Sequence, residues 1–136
     1  MAQHPNSAGS SFTLPPIIAA PMAGGPSTPN LVNAVSFGFL AWGTCTSTTA
    51  REELGRTSAP FGINLFYPQS YRPSQADLEA VLRRLGPGPG PGPGARLPQV
   101  DLTAGFAEKF ALALNSAAQV VSSTFGCFSR AEIAAL

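Results

Sequence analysis

The sequence predicts a parallel α/β fold, and three observations lead there. Short apolar runs at 17–20, 39–42, 61–66 and 120–124 alternate with stretches of helical periodicity, the pattern of strands connected by crossover helices. The first run ends at Pro21, passes through the small residues Ala23, Gly24 and Gly25, and meets a helix opened by Pro29, so strand, tight loop and helix follow directly. The first run is also apolar on both sides of its alternation, as expected of a strand buried on two faces. The 136 residues suffice for one domain and one core.

Residues 1–13 are small and polar and read as a mobile tail. Strand one is Ile17 to Ala20. Ser27 or Thr28 caps the helix after it, which Leu31, Val32, Ala34 and Val35 continue to about Ser36. Strand two covers Phe39 to Trp42. Ser47 or Thr48 caps the next helix, with Glu52 and Glu53 read as an acidic pair in its first turn, favourable to the helix dipole. Strand three is Phe61 to Phe66, ended by Pro68.

Ser74 caps a helix with Leu78, Val81, Leu82 and Leu85 at helical spacing. Gly86 to Gly94 then alternates Gly and Pro. Proline lacks the donor and glycine costs entropy, so the tract is neither helix nor inner strand, and its period of two is not collagen's. It reads as a semi-extended linker; a ligand for a proline-binding module is disfavoured by the lack of PxxP spacing. Asp101 or Thr103 opens a helix carrying Phe106, Glu108, Lys109, Phe110, Leu112 and Leu114. Strand four is Val120 to Thr124, and Ser129 with Glu132 forms a capping-box pattern for a last helix.

Four stretches carry a family resemblance: Pro16 to Pro29, Gly38-Phe39-Leu40-Ala41, Pro60-Phe61-Gly62-Ile63-Asn64-Leu65-Phe66, and Val120-Val121-Ser122-Ser123-Thr124-Phe125-Gly126. In order and spacing they resemble the amino-terminal half of the nitronate monooxygenases, formerly called 2-nitropropane dioxygenases, over most of residues 14–136. The resemblance implies a TIM (β/α)₈ barrel, FMN as cofactor, and oxidation of alkyl nitronates with molecular oxygen. A whole barrel needs roughly 250 residues. The expectation is therefore a partial barrel of about four βα units, truncated, and impaired in activity; the alternatives are a non-catalytic remnant and a half-barrel assembly module. Relatives carry an Ala-Gly-Gly-Leu-like turn before the second strand. Here Ser36-Phe37-Gly38 runs on directly, which predicts a short, strained crossover.

The candidate cofactor-binding residues are Ala20, Pro21, Met22 and Asn64. In the family the first loop lies against the flavin ring through its backbone; without the resemblance it is a Pro-Met turn that packs the barrel. Asn64 stands at the end of an apolar strand, where a buried amide needs partners. In the family the matching Asn lies by the flavin; the alternative is an Asn satisfied by neighbouring loop backbone. Ser122, Ser123 and Thr124 either reach a ligand or bond the adjacent strand. No catalytic residue is present, since the family's general-base histidine follows the fourth strand in a Gly-rich stretch beyond this sequence, and His4 is misplaced to replace it. The phosphate-binding loops after strands seven and eight are likewise beyond it, so FMN binding is expected to be weak or absent.

Other functions find no support. The net charge is +1, with no basic run or basic–aromatic interleaving, so no nucleic-acid partner is expected. GxGxxG, GxxxxGK[ST] and GxSxG are absent. One histidine and no CxxC exclude a metal centre by spacing. Cys45 and Cys127 read as free thiols of a cytoplasmic protein, there is no signal-peptide pattern, and the Pro-broken run from Leu14 to Met22 is too short to span a membrane. The partners expected are a small nitronate and oxygen, with self-association through open sheet edges.

Overall fold

The computed structural model describes residues 12–58, 60–85, 96 and 101–136. His4, residues 1–11 of the predicted tail and the Gly-Pro tract at 86–94 lie outside the described residues. The elements are α1 (Pro29–Asn33), β1 (Gly38–Ala41), α2 (Ser47–Arg56), β2 (Phe61–Phe66), α3 (Gln75–Leu85), α4 (Phe106–Leu114), β3 (Val120–Thr124) and α5 (Arg130–Ala135). The three strands form one parallel sheet in the order β1-β2-β3. Leu40, Ile63 and Val121 are in register across it, as are Ala41, Asn64 and Ser122.

The first predicted strand is reduced to one bridge. Ala19 pairs in parallel with Gly38, donating to the Phe37 carbonyl at 3.0 Å and accepting from the Phe39 amide at 3.1 Å. Pro15, Pro16 and Pro21 supply no donors on either side, so pairing cannot spread. Nor is the segment buried on two faces: Ile17 is 83% exposed and Ile18 41%. Among the described residues the sheet thus has three strands and one bridge rather than four strands.

One sheet face is covered by helices. Leu40, Phe61, Ile63 and Leu65, with Trp42 just past β1, pack with Val32 of α1, Ala50 of α2, and Phe106 and Ala113 of α4. The opposite face carries Phe39, Gly62, Asn64, Phe66, Ser122 and Thr124. Phe39 meets buried Phe37 edge-on, and Phe12, at the end of the predicted tail, packs tilted against Phe37 at a centroid distance of 5.2 Å. Gly62 is required there because a Cβ would fall 2.4 Å from the Phe39 ring.

Several local expectations are corrected. Thr46 caps α2, accepting from the Thr49 amide at 3.1 Å, and Ser47 and Thr48 lie inside the helix. Glu52 and Glu53 are consequently beyond the first turn, and Glu53 instead accepts from Trp42 Nε1 at 2.9 Å. The short crossover is not strained at Ser36-Phe37-Gly38: among the described residues only Ala104 and Phe125 are non-glycines with positive φ. Ser74 and Asp77 do cap the start of α3, but that helix buries no residue, and Val81 and Leu85 are 52% and 75% exposed. The Ser129–Glu132 capping box of α5 is present as read.

Candidate functional site

The carboxyl ends of the strands gather the polar side chains of the helix-free face. Asn64 is 6% exposed on β2, and its amide nitrogen donates to Ser122 Oγ at 2.9 Å and Thr124 Oγ1 at 3.2 Å. Thr124 Oγ1 also lies 3.2 Å from Asn64 Oδ1, to which it donates. The parallel register places all three on one face, because pairing of Asn64 with Ser122 aligns the alternation of both strands. Asn64 is therefore satisfied by strand hydroxyls and not by loop backbone. Ser122 accepts in this cluster and keeps its own proton to donate. Ser123, on the other face, donates to the Gly126 carbonyl at 2.7 Å instead.

The loop after Ala19 is held by a residue expected only as a helix cap. Ser27 accepts from the Met22 amide at 2.8 Å and donates to the Ala20 carbonyl at 2.9 Å, while Thr28 occupies the cap position of α1 without a side-chain cap bond. Ser27 is buried, and its two bonds fix the backbone of Ala20, Pro21 and Met22. Met22 itself is 44% exposed. Gly24 sits at φ +68° in the same loop, a conformation that suits glycine.

A cleft of about 1020 Å³ opens at the ends of β1 and β2, between the 43–47 loop and the 101–108 segment, with Phe66, Pro68 and Phe106 in its wall. Asp101 shapes one side by accepting from the Thr103 hydroxyl at 2.7 Å and from the amides of Thr103 at 2.9 Å and Gly105 at 3.2 Å, bonds that hold its carboxyl below the usual carboxylate range. Behind the other side lies Lys109, 1% exposed, donating to the carbonyls of Trp42, Gly43 at 3.4 Å and Cys45 at 3.2 Å. Burial pushes its pKa down, and burial likewise pushes the Cys45 thiol up against the opposing pull of Lys109. Helical spacing alone marks Lys109 as a core position: Phe106, Lys109, Phe110 and Ala113 share one helical face.

Both cysteines are free, no cluster of candidate metal ligands exists among the described residues, and no helix there is long and apolar enough to cross a membrane.

Comparison with known proteins decides the family. Residues 7–136 match the family model described as nitronate monooxygenase. The chain belongs to the nitronate monooxygenase family. Among solved structures, the nitroalkane oxidase of Streptomyces ansochromogenes is similar at 35% identity and a TM-score of 0.69, over 89% of this chain and 37% of that one. The chain thus spans little more than a third of that member's length. A search of curated proteins returns no match. Within this member of the family, Asn64 lies inside β2, two residues before its carboxyl end, the Ala20–Met22 loop follows the Ala19 bridge, and the cleft between 43–47 and 101–108 adds a feature not evident in the sequence.

Proposed function

We propose that this chain is the amino-terminal part of an FMN-dependent oxidoreductase that oxidises alkyl nitronates with molecular oxygen, and that it supplies the ring-side wall of the flavin site. The observation that carries this reading is the buried Asn64 amide joined to Ser122 and Thr124 on the helix-free face of the sheet, in the carboxyl-terminal halves of β2 and β3, in a member of this family. The donor set fits a neutral ring bearing carbonyl oxygens and nitrogens. Ser122 has a proton to give, and Asn64 can exchange a hydroxyl partner for a ring acceptor at small net cost. The backbone of Ala20, Pro21 and Met22, fixed by Ser27, would lie along the ring. Bound FMN would supply the electron chemistry. The chain's own residues would hold the ring and exclude water from one side of it.

On this reading residues 14–136 form the amino-terminal part of the barrel domain, residues 1–13 precede it, and 86–94 link two units. Substrate deprotonation and phosphate binding fall to parts outside this chain, so FMN affinity in residues 1–136 alone is weak. The free thiols Cys45 and Cys127 support a cytoplasmic setting.

A second reading, a half-barrel assembly module without activity of its own, is favoured by the edge of β3, which pairs with no further strand among the described residues. Both readings are tested by coexpressing the chain with the carboxyl-terminal remainder of the Streptomyces ansochromogenes nitroalkane oxidase. Flavin retained by the associated pair, with oxygen uptake on a nitronate, supports the enzyme. An associated pair that holds no flavin and consumes no oxygen leaves the assembly module.

A further inference from the structure

Phe125, immediately after β3, holds φ at +70°, the left-handed region that a bulky side chain rarely enters. The turn around it is fixed from several directions. The Tyr67 amide donates to the Thr124 carbonyl at 2.9 Å, Gln69 Nε2 donates to the Phe125 carbonyl at 3.0 Å, and Ser123 Oγ donates to the Gly126 carbonyl at 2.7 Å. The next residue, Gly126, is needed for space, since a Cβ there would fall 2.7 Å from the Tyr67 ring. The chain thus carries an aromatic residue where glycine would be unstrained.

Burial does not account for that choice. The Phe125 side chain is 67% exposed, so little apolar area is removed from water to offset the strained backbone. Its described ring contact is Phe66, edge-on at a centroid distance of 4.8 Å. Phe66 lines the cleft and lies over Gly43, where a Cβ would come within 2.4 Å of the ring. It shares the sheet face of Asn64 and pairs in register with Thr124. The two rings therefore make an open aromatic corner at the strand ends, beside the amide–hydroxyl cluster.

We propose that Phe125 is a specificity-determining residue, an exposed aromatic wall that with Phe66 receives the alkyl chain of the nitronate substrate. The inference rests on the nitronate-oxidising reading above. A nitronate joins a charged, hydrogen-bonding head to an apolar tail. The flavin ring that the reading above places against Asn64 and Ser122 would lie beside this aromatic corner, so the nitronate head would face the ring and its tail the two phenylalanines. The strained backbone is retained because it presents the ring outward, at the edge of Phe66, instead of letting it fold into the core.

The test uses the full chain and two probes, the nitronates of nitroethane and 1-nitrohexane, followed by aromatic NMR shifts of Phe66 and Phe125. In the wild type the longer probe should bind at least about tenfold more tightly, since each fully buried methylene adds roughly fourfold and one against a wall on a single side roughly twofold. Phe125→Gly should abolish that preference while leaving the melting temperature unchanged or higher, because glycine relieves the backbone. Phe125→Leu, which retains apolar bulk, should keep part of it. No chain-length preference in the wild type, an unchanged preference in Phe125→Gly, or a lower melting temperature for that variant would each overturn the assignment and make the ring a packing element. Chain-length-dependent binding without nitronate oxidation in the coexpressed pair would sink the enzyme reading alone.

Discussion

The ammonium of Lys109 on α4 caps the end of β1 by donating to the main-chain carbonyl of Trp42. The same nitrogen reaches the carbonyls of Gly43 and Cys45, so one buried cation holds the backbone of the 42–45 turn against the helix that follows the cleft. Isolated buried charge is costly, and here backbone dipoles supply its solvation. The loop in question forms one wall of the cleft, which ties packing to the shape of the candidate site.

Lys109→Met keeps the length of the side chain but leaves those carbonyls without their donor. The expected loss of stability is about 1.5–3 kcal/mol, the range for hydrogen bonds to a charged group. Chemical denaturation measures it; a variant as stable as the wild type would mean that water replaces the ammonium without cost.

Asn64→Ala removes the amide that joins β2 to the hydroxyls of Ser122 and Thr124. A loss of about 1–2 kcal/mol in folding stability is expected from the chain alone. In the coexpressed pair, FMN affinity should fall by a further factor corresponding to about 0.5–1.5 kcal/mol. If stability drops but flavin titration is unaffected, Asn64 serves the sheet and not the cofactor.

Glu53 sets a pH dependence. Its carboxylate accepts from Trp42, yet burial holds its pKa above the ordinary carboxylate value. The folded protein therefore binds this proton more tightly than the unfolded chain does. The associated stability is complete below the unfolded carboxyl pKa and is lost as pH rises through the raised one. Glu53→Gln keeps an acceptor for Trp42 and carries no charge. Its melting temperature should match the wild type in acid and exceed it at neutral pH. A variant that melts lower than the wild type at neutral pH would show that the charged bond to Trp42 outweighs burial.

Gly43→Ala places a methyl 2.4 Å from the Phe66 ring. The ring must move, and with it the edge-on contact to Phe125. Overpacking of this kind costs about 1–3 kcal/mol. Aromatic shifts of both phenylalanines should change together, whereas Gly55→Ala, with no neighbour within 4 Å of the new methyl, should leave them in place.

The sequence by itself determined the elements whose signals are local. Phe61–Phe66 and Val120–Thr124 are strands with the predicted bounds because β-branched, aromatic and other apolar residues predominate there between turn formers, despite Gly62, Asn64, Ser122 and Ser123. The Ser129–Glu132 box closes on itself within one helical turn and needs nothing from the rest of the chain. The four stretches carrying the family resemblance were likewise legible as written. Tertiary structure decided what depends on partners distant in sequence. Ile17–Ala20 has the composition of a strand, but only the Ala19 bridge formed, since flanking prolines withhold donors. Ser27 had two local options, and the approach of the Ala20 and Met22 backbone selected the loop over the helix cap. Asn64 found its partners 58 and 60 residues away, and Lys109 found Trp42 at a separation of 67. A hydrogen bond across such a distance is fixed by strand register and helix docking, which no window of neighbouring residues contains.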